Sequence, residues 1–185
     1  MVGDRHLDND FKDLFGEWPA DSENELARLN DDSSPEPENR VRRALNVKEC
    51  KVVNVYEASY ESTDPEVDTI KTTFVLLRDS IGRELRIFVL PDVAYAMHTA
   101  LADHAPDRPF THDLMKSIIN RLGADVDRVT IDDLWQDTFY ARITLSQGDT
   151  VIDIDSRPSD AIALALRFNA PIYVAEPVLE STQGE

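Results

Sequence analysis

The stretch VIDIDSRPSDAIALALRFNAPIYV, residues 151–174, decides how the rest of the chain is read. It opens in alternation. Ile152 and Ile154 point one way while Val151, Asp153 and Asp155 point the other, the pattern of a half-buried strand with two carboxylates on one face. Arg157-Pro158 breaks that strand, and Ser159 or Asp160 is suited to cap a helix. Ala161 to Phe168 is small and apolar almost all round, so this helix is expected inside the protein. Asn169 suits the left-handed position past a helix end, and Pro171 cannot extend the helix. Ile172-Tyr173-Val174, β-branched and aromatic, then reads as a second buried strand. The polar residues gather where the first strand hands over to the helix.

Working outward, Val47 to Tyr56 reads as a strand, with Val47, Val53 and Val55 on one face and Cys50, Val52 and Tyr56 on the other. A polar loop, ASYESTDPEVD, follows. Residues 70–78 and 84–90 are strands joined by a hairpin at 79–83. Pro91 suits a first helical position, and the helix runs from Asp92 to about Asp103. Thr111 caps a second helix whose Met115, Ile118, Ile119 and Leu122 form one apolar stripe, stopped by Gly123. Residues 126–134 and 138–146 are strands about a turn at Gln136-Asp137, and Gln147-Gly148-Asp149 turns the chain again. Pro177 to Ser181 forms a last helical turn. The expected class is α+β: a single compact domain over 41–185, with a largely antiparallel sheet covered by helices.

Residues 1–40 read as an acidic N-terminal extension. Phe11, Leu14, Phe15 and Trp18 recur at helical spacing, so residues 10–17 form either a short amphipathic helix or, the reading preferred, part of a mostly disordered tail. Residues 30–39, NDDSSPEPEN, form a linker without an apolar side chain. The formal net charge of the chain is −17, of which 12 acidic and 4 basic residues in 1–40 contribute −8, and 24 against 15 in the rest contribute −9. Nucleic-acid binders usually carry a basic footprint, so this acidity argues against long-range attraction to a polyanion. No N-terminal apolar h-region and no membrane-length apolar run is read, so a cytoplasmic protein without membrane association is expected. One cysteine, Cys50, excludes an intrachain disulfide and reads as a packed core thiol.

Three runs, DSRPSDAIALALRFNAPIYV (155–174), PFTHDL (109–114) and TFYARITL (138–145), closely resemble the bifunctional nuclease domain family, over roughly residues 46–180. The resemblance implies a compact α+β domain and cleavage of both DNA and RNA. Thr111-His112-Asp113 and Asp155-x-Arg157-Pro158-Ser159-Asp160 match the family pattern. Members usually carry a Gly and a Glu in the segment matching Phe88–Ala94, where this chain has Leu90 and Val93; if that Glu serves the site, activity here is weakened or absent.

Phosphodiester hydrolysis needs an activated water and neutralisation of charge at phosphorus, which carboxylate-held magnesium or manganese supplies. The residues expected to carry it are His112, Asp113, Asp155 and Asp160 as catalytic groups, and Asp153, Asp155 and Asp160 as metal ligands. Arg108, Arg157, Ser159 and Thr111 are expected to hold phosphate, from guanidinium forks and helix entrances. Thr111, Ser159 and Asp160 have a plainer reading as helix caps, each worth ~1 kcal/mol. Two functions therefore compete: a nuclease of low sequence specificity acting on nucleic acid, and a non-catalytic module, oligomeric and regulatory or protein-binding, in which a homo-oligomer uses the same fold.

Overall fold

The computed structural model describes residues 46–61, 69–104 and 106–182, all within the unit Ala44–Glu185. The expected extension, its amphipathic segment and its linker lie outside the described residues. The elements run β1 (Val47–Glu61), β2 (Thr69–Asp79), β3 (Glu84–Val89), α1 (Pro91–Leu101), α2 (Thr111–Arg121), β4 (Asp125–Trp135), β5 (Thr138–Gln147), β6 (Thr150–Ser156), α3 (Pro158–Phe168), β7 (Ile172–Ala175) and α4 (Glu176–Ser181). The strands form one sheet in the order β3-β2-β1-β7-β4-β5-β6. Every neighbouring pair is antiparallel except β4 with β7. The α+β class with a largely antiparallel sheet is therefore the fold of this chain. No described helix is long and apolar enough to cross a membrane.

The α3–β7 unit sits at the centre, as its composition requires. In α3, Ala161, Ile162, Ala163, Leu164 and Ala165 are buried, and its small side chains let β4, β5, α1 and α2 all approach one helix. Burying Ile162 and Leu164 stabilises the fold by roughly 1.5–3 kcal/mol each. Asn169 ends α3 in the left-handed region at φ 52°, ψ 32°, and the chain re-enters the sheet as β7, with Ile172, Val174 and Ala175 buried. Cys50 is buried beside them, and burial first, then the nearby Asp79 and Glu49, pushes its thiol up to about 11 against the opposing pull of Arg83.

Several local expectations are corrected. The β1 strand runs five residues past Tyr56, because Glu57–Glu61 pair with Thr69–Thr73 although their polar composition suggests a loop. A register shift between Val52 and Asn54 breaks the alternation there, so Val52 and Val55 both pack on the core while Val53 and Tyr56 are exposed. The β6 strand is not half-buried: it lies at the edge of the sheet, among the described strands pairs only with β5, and exposes Val151, Ile152 and Ile154. In α2 the apolar stripe divides, with Met115 and Ile119 on the core and Ile118 and Leu122 in solvent. Neither Thr111 nor Ser159 nor Asp160 is a helix cap. Phe110 and Arg157 hold those positions in extended conformation, without a side-chain capping bond.

Ion pairs fasten the periphery. Arg83, in the β2–β3 hairpin, donates to Asp79 Oδ2 at 2.7 Å and to Glu176 Oε1 at 2.6 Å, tying the hairpin to the start of α4. Desolvation raises the Asp79 carboxyl, but the Arg83 side chain and the backbone N–H groups of Arg83 and Ile81 outweigh it and hold it below its usual range. The Arg83 hydrogen bond lowers Glu176 likewise, against a smaller desolvation. Carboxyls depressed in the folded state stabilise it fully above their unfolded values, about 3.9 for Asp and 4.3 for Glu, and lose that contribution as pH falls through the folded values. The melting temperature is therefore expected to hold from neutral pH to about pH 5 and to fall below about pH 4. A circular-dichroism melt series checks this; a decline starting near neutrality would refute it.

Candidate active site

Two helix entrances meet at one cavity of about 830 Å³. At the first, β6 ends at Ser156, Arg157 stays extended, Pro158 presets the helical φ, and Asp160 falls in the first turn of α3. At the second, Phe110 stays extended and Thr111, His112 and Asp113 form the first turn of α2. Packing of α2 on α3 brings the His112 Nε2 to 3.1 Å from Asp160 Oδ1. The other Asp160 oxygen accepts from Arg157 Nε at 2.8 Å. His112 is 6% exposed, whereas the Arg157 side chain is 72% exposed, so the array runs from the interior to the mouth of the cavity. A carboxylate offers only acceptors, so the Asp160 contact places the imidazole hydrogen on Nε2 and the lone pair on Nδ1.

The remaining expected residues divide. Thr111 and Asp155 line the cavity, and Asp155 has no ion-pair partner among the described residues. Arg108 and Ser159 do not line it. Asp153 stands beside other groups: its oxygens accept from Thr144 Oγ1 at 2.8 Å and Arg142 Nη1 at 3.4 Å, and Arg142 also donates to Asp132 at 2.6 Å. Among the described residues no three His, Cys, Asp or Glu side chains are gathered to hold a metal ion, so the expected Asp153–Asp155–Asp160 cage is not assembled.

Asp113 is occupied structurally. Its Oδ2 accepts the Phe110 N–H at 2.9 Å, and its Oδ1 accepts from Arg167 Nε at 2.5 Å. Desolvation raises this carboxyl, but Arg167, the Phe110 N–H and His112 together hold it below its usual range. Arg167, buried in α3, also donates to Ala163 O at 2.9 Å and to Ala96 O of α1 at 3.2 Å. One guanidinium thus joins α1, α2 and α3 directly behind the His112 turn. Sequence reasoning passed over Arg167. The signal was present: a single charge inside an apolar helix demands a partner.

The cavity lining is mixed and mostly apolar: Asp92, His112, Asp155, Arg157 and Asp160 are its ionisable groups, and Tyr95, Phe110, Met115, Phe139, Ile143 and Ile154 contribute most of its carbon surface. Val93 also lines it, so the position where a Glu was expected presents an apolar side chain to the cavity.

A histidine–carboxylate–arginine array running from the interior to the mouth of a mostly apolar cavity, set into an α+β sheet domain, defines a candidate acid–base site. The family model described as the bifunctional nuclease domain matches residues 75–185, and the chain belongs to that family. The match begins inside β2, so β1 lies outside it although it belongs to the same sheet; the resemblance was expected from residue 46. An uncharacterized protein of Mycobacterium tuberculosis (strain ATCC 25618 / H37Rv) is 42% identical over 106 residues, 57% of this chain and 63% of that protein. Bifunctional nuclease 1 of Oryza sativa subsp. indica is 31% identical over 101 residues, 53% of this chain and 30% of that protein. Bifunctional nuclease 2 of Arabidopsis thaliana is 30% identical over 101 residues, 53% of this chain and 31% of that protein. The chain therefore spans under two thirds of the mycobacterial relative and about a third of the plant ones.

Proposed function

We propose that this chain hydrolyses phosphodiester bonds of DNA and RNA, with low sequence specificity, in the cavity between the starts of α1, α2 and α3. The observation that carries the reading is the His112–Asp160–Arg157 array in a chain of the bifunctional nuclease domain family. His112 Nδ1 takes the proton of the water as its oxygen bonds to phosphorus and the P–O bond to the leaving sugar oxygen breaks, the leaving oxygen taking its proton from solvent. Asp160 holds the imidazole and stabilises the imidazolium that forms. Arg157, exposed at the mouth, contacts a phosphate oxygen. Thr111 lines the same mouth and adds a hydroxyl.

Among the described residues, Asp92, Asp155 and Asp160 line the cavity with the single cation Arg157, which is already paired with Asp160, so a phosphodiester meets an excess of negative charge. Magnesium commonly binds through one or two carboxylates plus substrate phosphate, and Asp155 fits that use, since Asp160 is committed to His112 and Arg157. Such an ion, magnesium or manganese, would supply charge neutralisation at the phosphate. Cleavage of single-stranded DNA and RNA is accordingly expected with magnesium or manganese and to fall by about 100-fold or more in EDTA. Undiminished cleavage in EDTA would remove the divalent ion and leave the His112 array to act alone.

One observation favours the alternative of a non-catalytic regulatory or protein-binding module, oligomeric or otherwise: Val93 presents methyl groups where the family resemblance led us to expect a carboxylate. That reading predicts no cleavage of either nucleic acid under any metal condition.

A further inference from the structure

We infer that the apolar part of this cavity is a subsite for one unpaired nucleobase lying next to the scissile phosphate. The inference rests on the hydrolytic reading above and adds what part of the substrate selects it.

The cavity is far larger than the chemistry needs. A water takes about 30 Å³, and a phosphate only a few times that. About 830 Å³ is available, in the range of pockets that hold whole small molecules. Most of the lining is carbon, so the surplus suits a flat, weakly polar group rather than more phosphate. Tyr95 and Phe110 form its wall: their ring centroids are 5.7 Å apart and their planes cross at 86°. In an edge-to-face pair the ring that presents its edge keeps both of its own faces for another partner. Tyr95 is 60% exposed although its helix neighbours Ala94, Ala96 and Met97 are buried, so a firmly anchored backbone holds an uncovered aromatic ring.

Position relates the wall to the chemistry. Phe110 is the residue from which α2 starts, and His112 is two residues on, so one turn sets both ring and imidazole. Asp113 pins that turn through the Phe110 N–H. A base stacked on this wall therefore places its own backbone phosphate at the ionisable groups of the same cavity. Aromatic stacking is tolerant of base identity, because every base has a π-face. In a duplex those faces are already covered by neighbouring bases, so only a single strand, a loop or a frayed end can enter.

The test compares a labelled single-stranded oligonucleotide, an abasic strand of equal length and the corresponding duplex, using the full chain. Base-bearing strand is expected to show a KM roughly tenfold below that of the abasic strand, the scale of one stacked base. The duplex should be the poorest substrate. Tyr95→Ala should collapse the difference between base-bearing and abasic strands, mainly in KM, and Tyr95→Phe should restore it. Tyr95→Leu keeps apolar bulk without a ring and should behave as Tyr95→Ala, with melting curves confirming that each variant is folded. A difference that survives Tyr95→Ala, or a duplex cut as fast as the single strand, overturns the subsite. If wild type cleaves none of the strands, fluorescence anisotropy in the same buffer decides. Tyr95-dependent preference for the base-bearing strand would keep the subsite and discard hydrolysis; equal binding of both strands would discard the two together.

Discussion

Asp160→Asn is expected to reduce cleavage of single-stranded DNA by about 100-fold or more while leaving the melting temperature within a few degrees of wild type. The carboxylate accepts from His112 Nε2 with one oxygen and from Arg157 Nε with the other. An amide can do only half of this. With its oxygen toward Arg157, its NH₂ faces Nε2, which must then accept, and the imidazole hydrogen moves to Nδ1, where the lone pair is needed. With its oxygen toward His112 the tautomer survives, but the negative charge that stabilises an imidazolium is gone. Either orientation costs rate, and both keep a hydrogen-bonded His112, so the fold loses little. Asp160→Ala differs in a way that reports the site. No side-chain capping bond exists at α3, so alanine removes no cap; it strands the buried Nε2, at about 1–3 kcal/mol. An Asn variant that cleaves within a few-fold of wild type would take the His112–Asp160 pair out of the chemistry.

What the sequence displayed and what it hid follow from the range of the interactions involved. The interior helix was legible because Ala161 to Leu166 offers no polar face, and Asn169-Ala170-Pro171 ends it by local sterics alone. Both helix entrances were legible for the same reason. Their meeting was not, since the contact of His112 with Asp160 spans 48 residues and depends on how α2 lies against α3. Asp153 shows the converse. Strand alternation correctly put it on the face of Asp155, but its neighbours Thr144 and Arg142 come from β5, and register across a ladder is invisible within one strand. The half-buried reading of β6 failed because alternation reports a difference between faces, not whether another layer covers the apolar one, and here both faces are exposed. The assignment of Thr111, Ser159 and Asp160 as caps failed because residue type is permissive: these side chains can cap, yet Phe110 and Arg157 already occupy the positions that would need it.

Arg167→Met is expected to lower stability by about 3 kcal/mol, roughly 10 °C in melting temperature for a domain of this size, and to lower cleavage as well. The guanidinium is buried, with its Nε on Asp113 and its terminal nitrogens on the Ala163 and Ala96 carbonyls. Methionine fills much of the volume but abandons all three acceptors. Asp113 then keeps only the Phe110 N–H, and the first turn of α2 loses its charged link to α3, leaving the His112–Asp160 contact as its polar tie. His112 sits in that turn, so activity should fall through misplacement of the imidazole and not through any contact of Arg167 with substrate. Asp113→Ala should cost a similar amount of stability by the opposite route, leaving a buried cation without its counter-ion. The double variant Asp113→Ala/Arg167→Met separates the pair from its parts. With neither charge left uncompensated, it should lose clearly less than the sum of the single changes, by at least about 1 kcal/mol in a denaturant-unfolding cycle. Full additivity would mean that the two side chains stabilise the domain independently, and that α2 is held to α3 by apolar packing and the His112–Asp160 and Lys116–Arg167 carbonyl contacts instead.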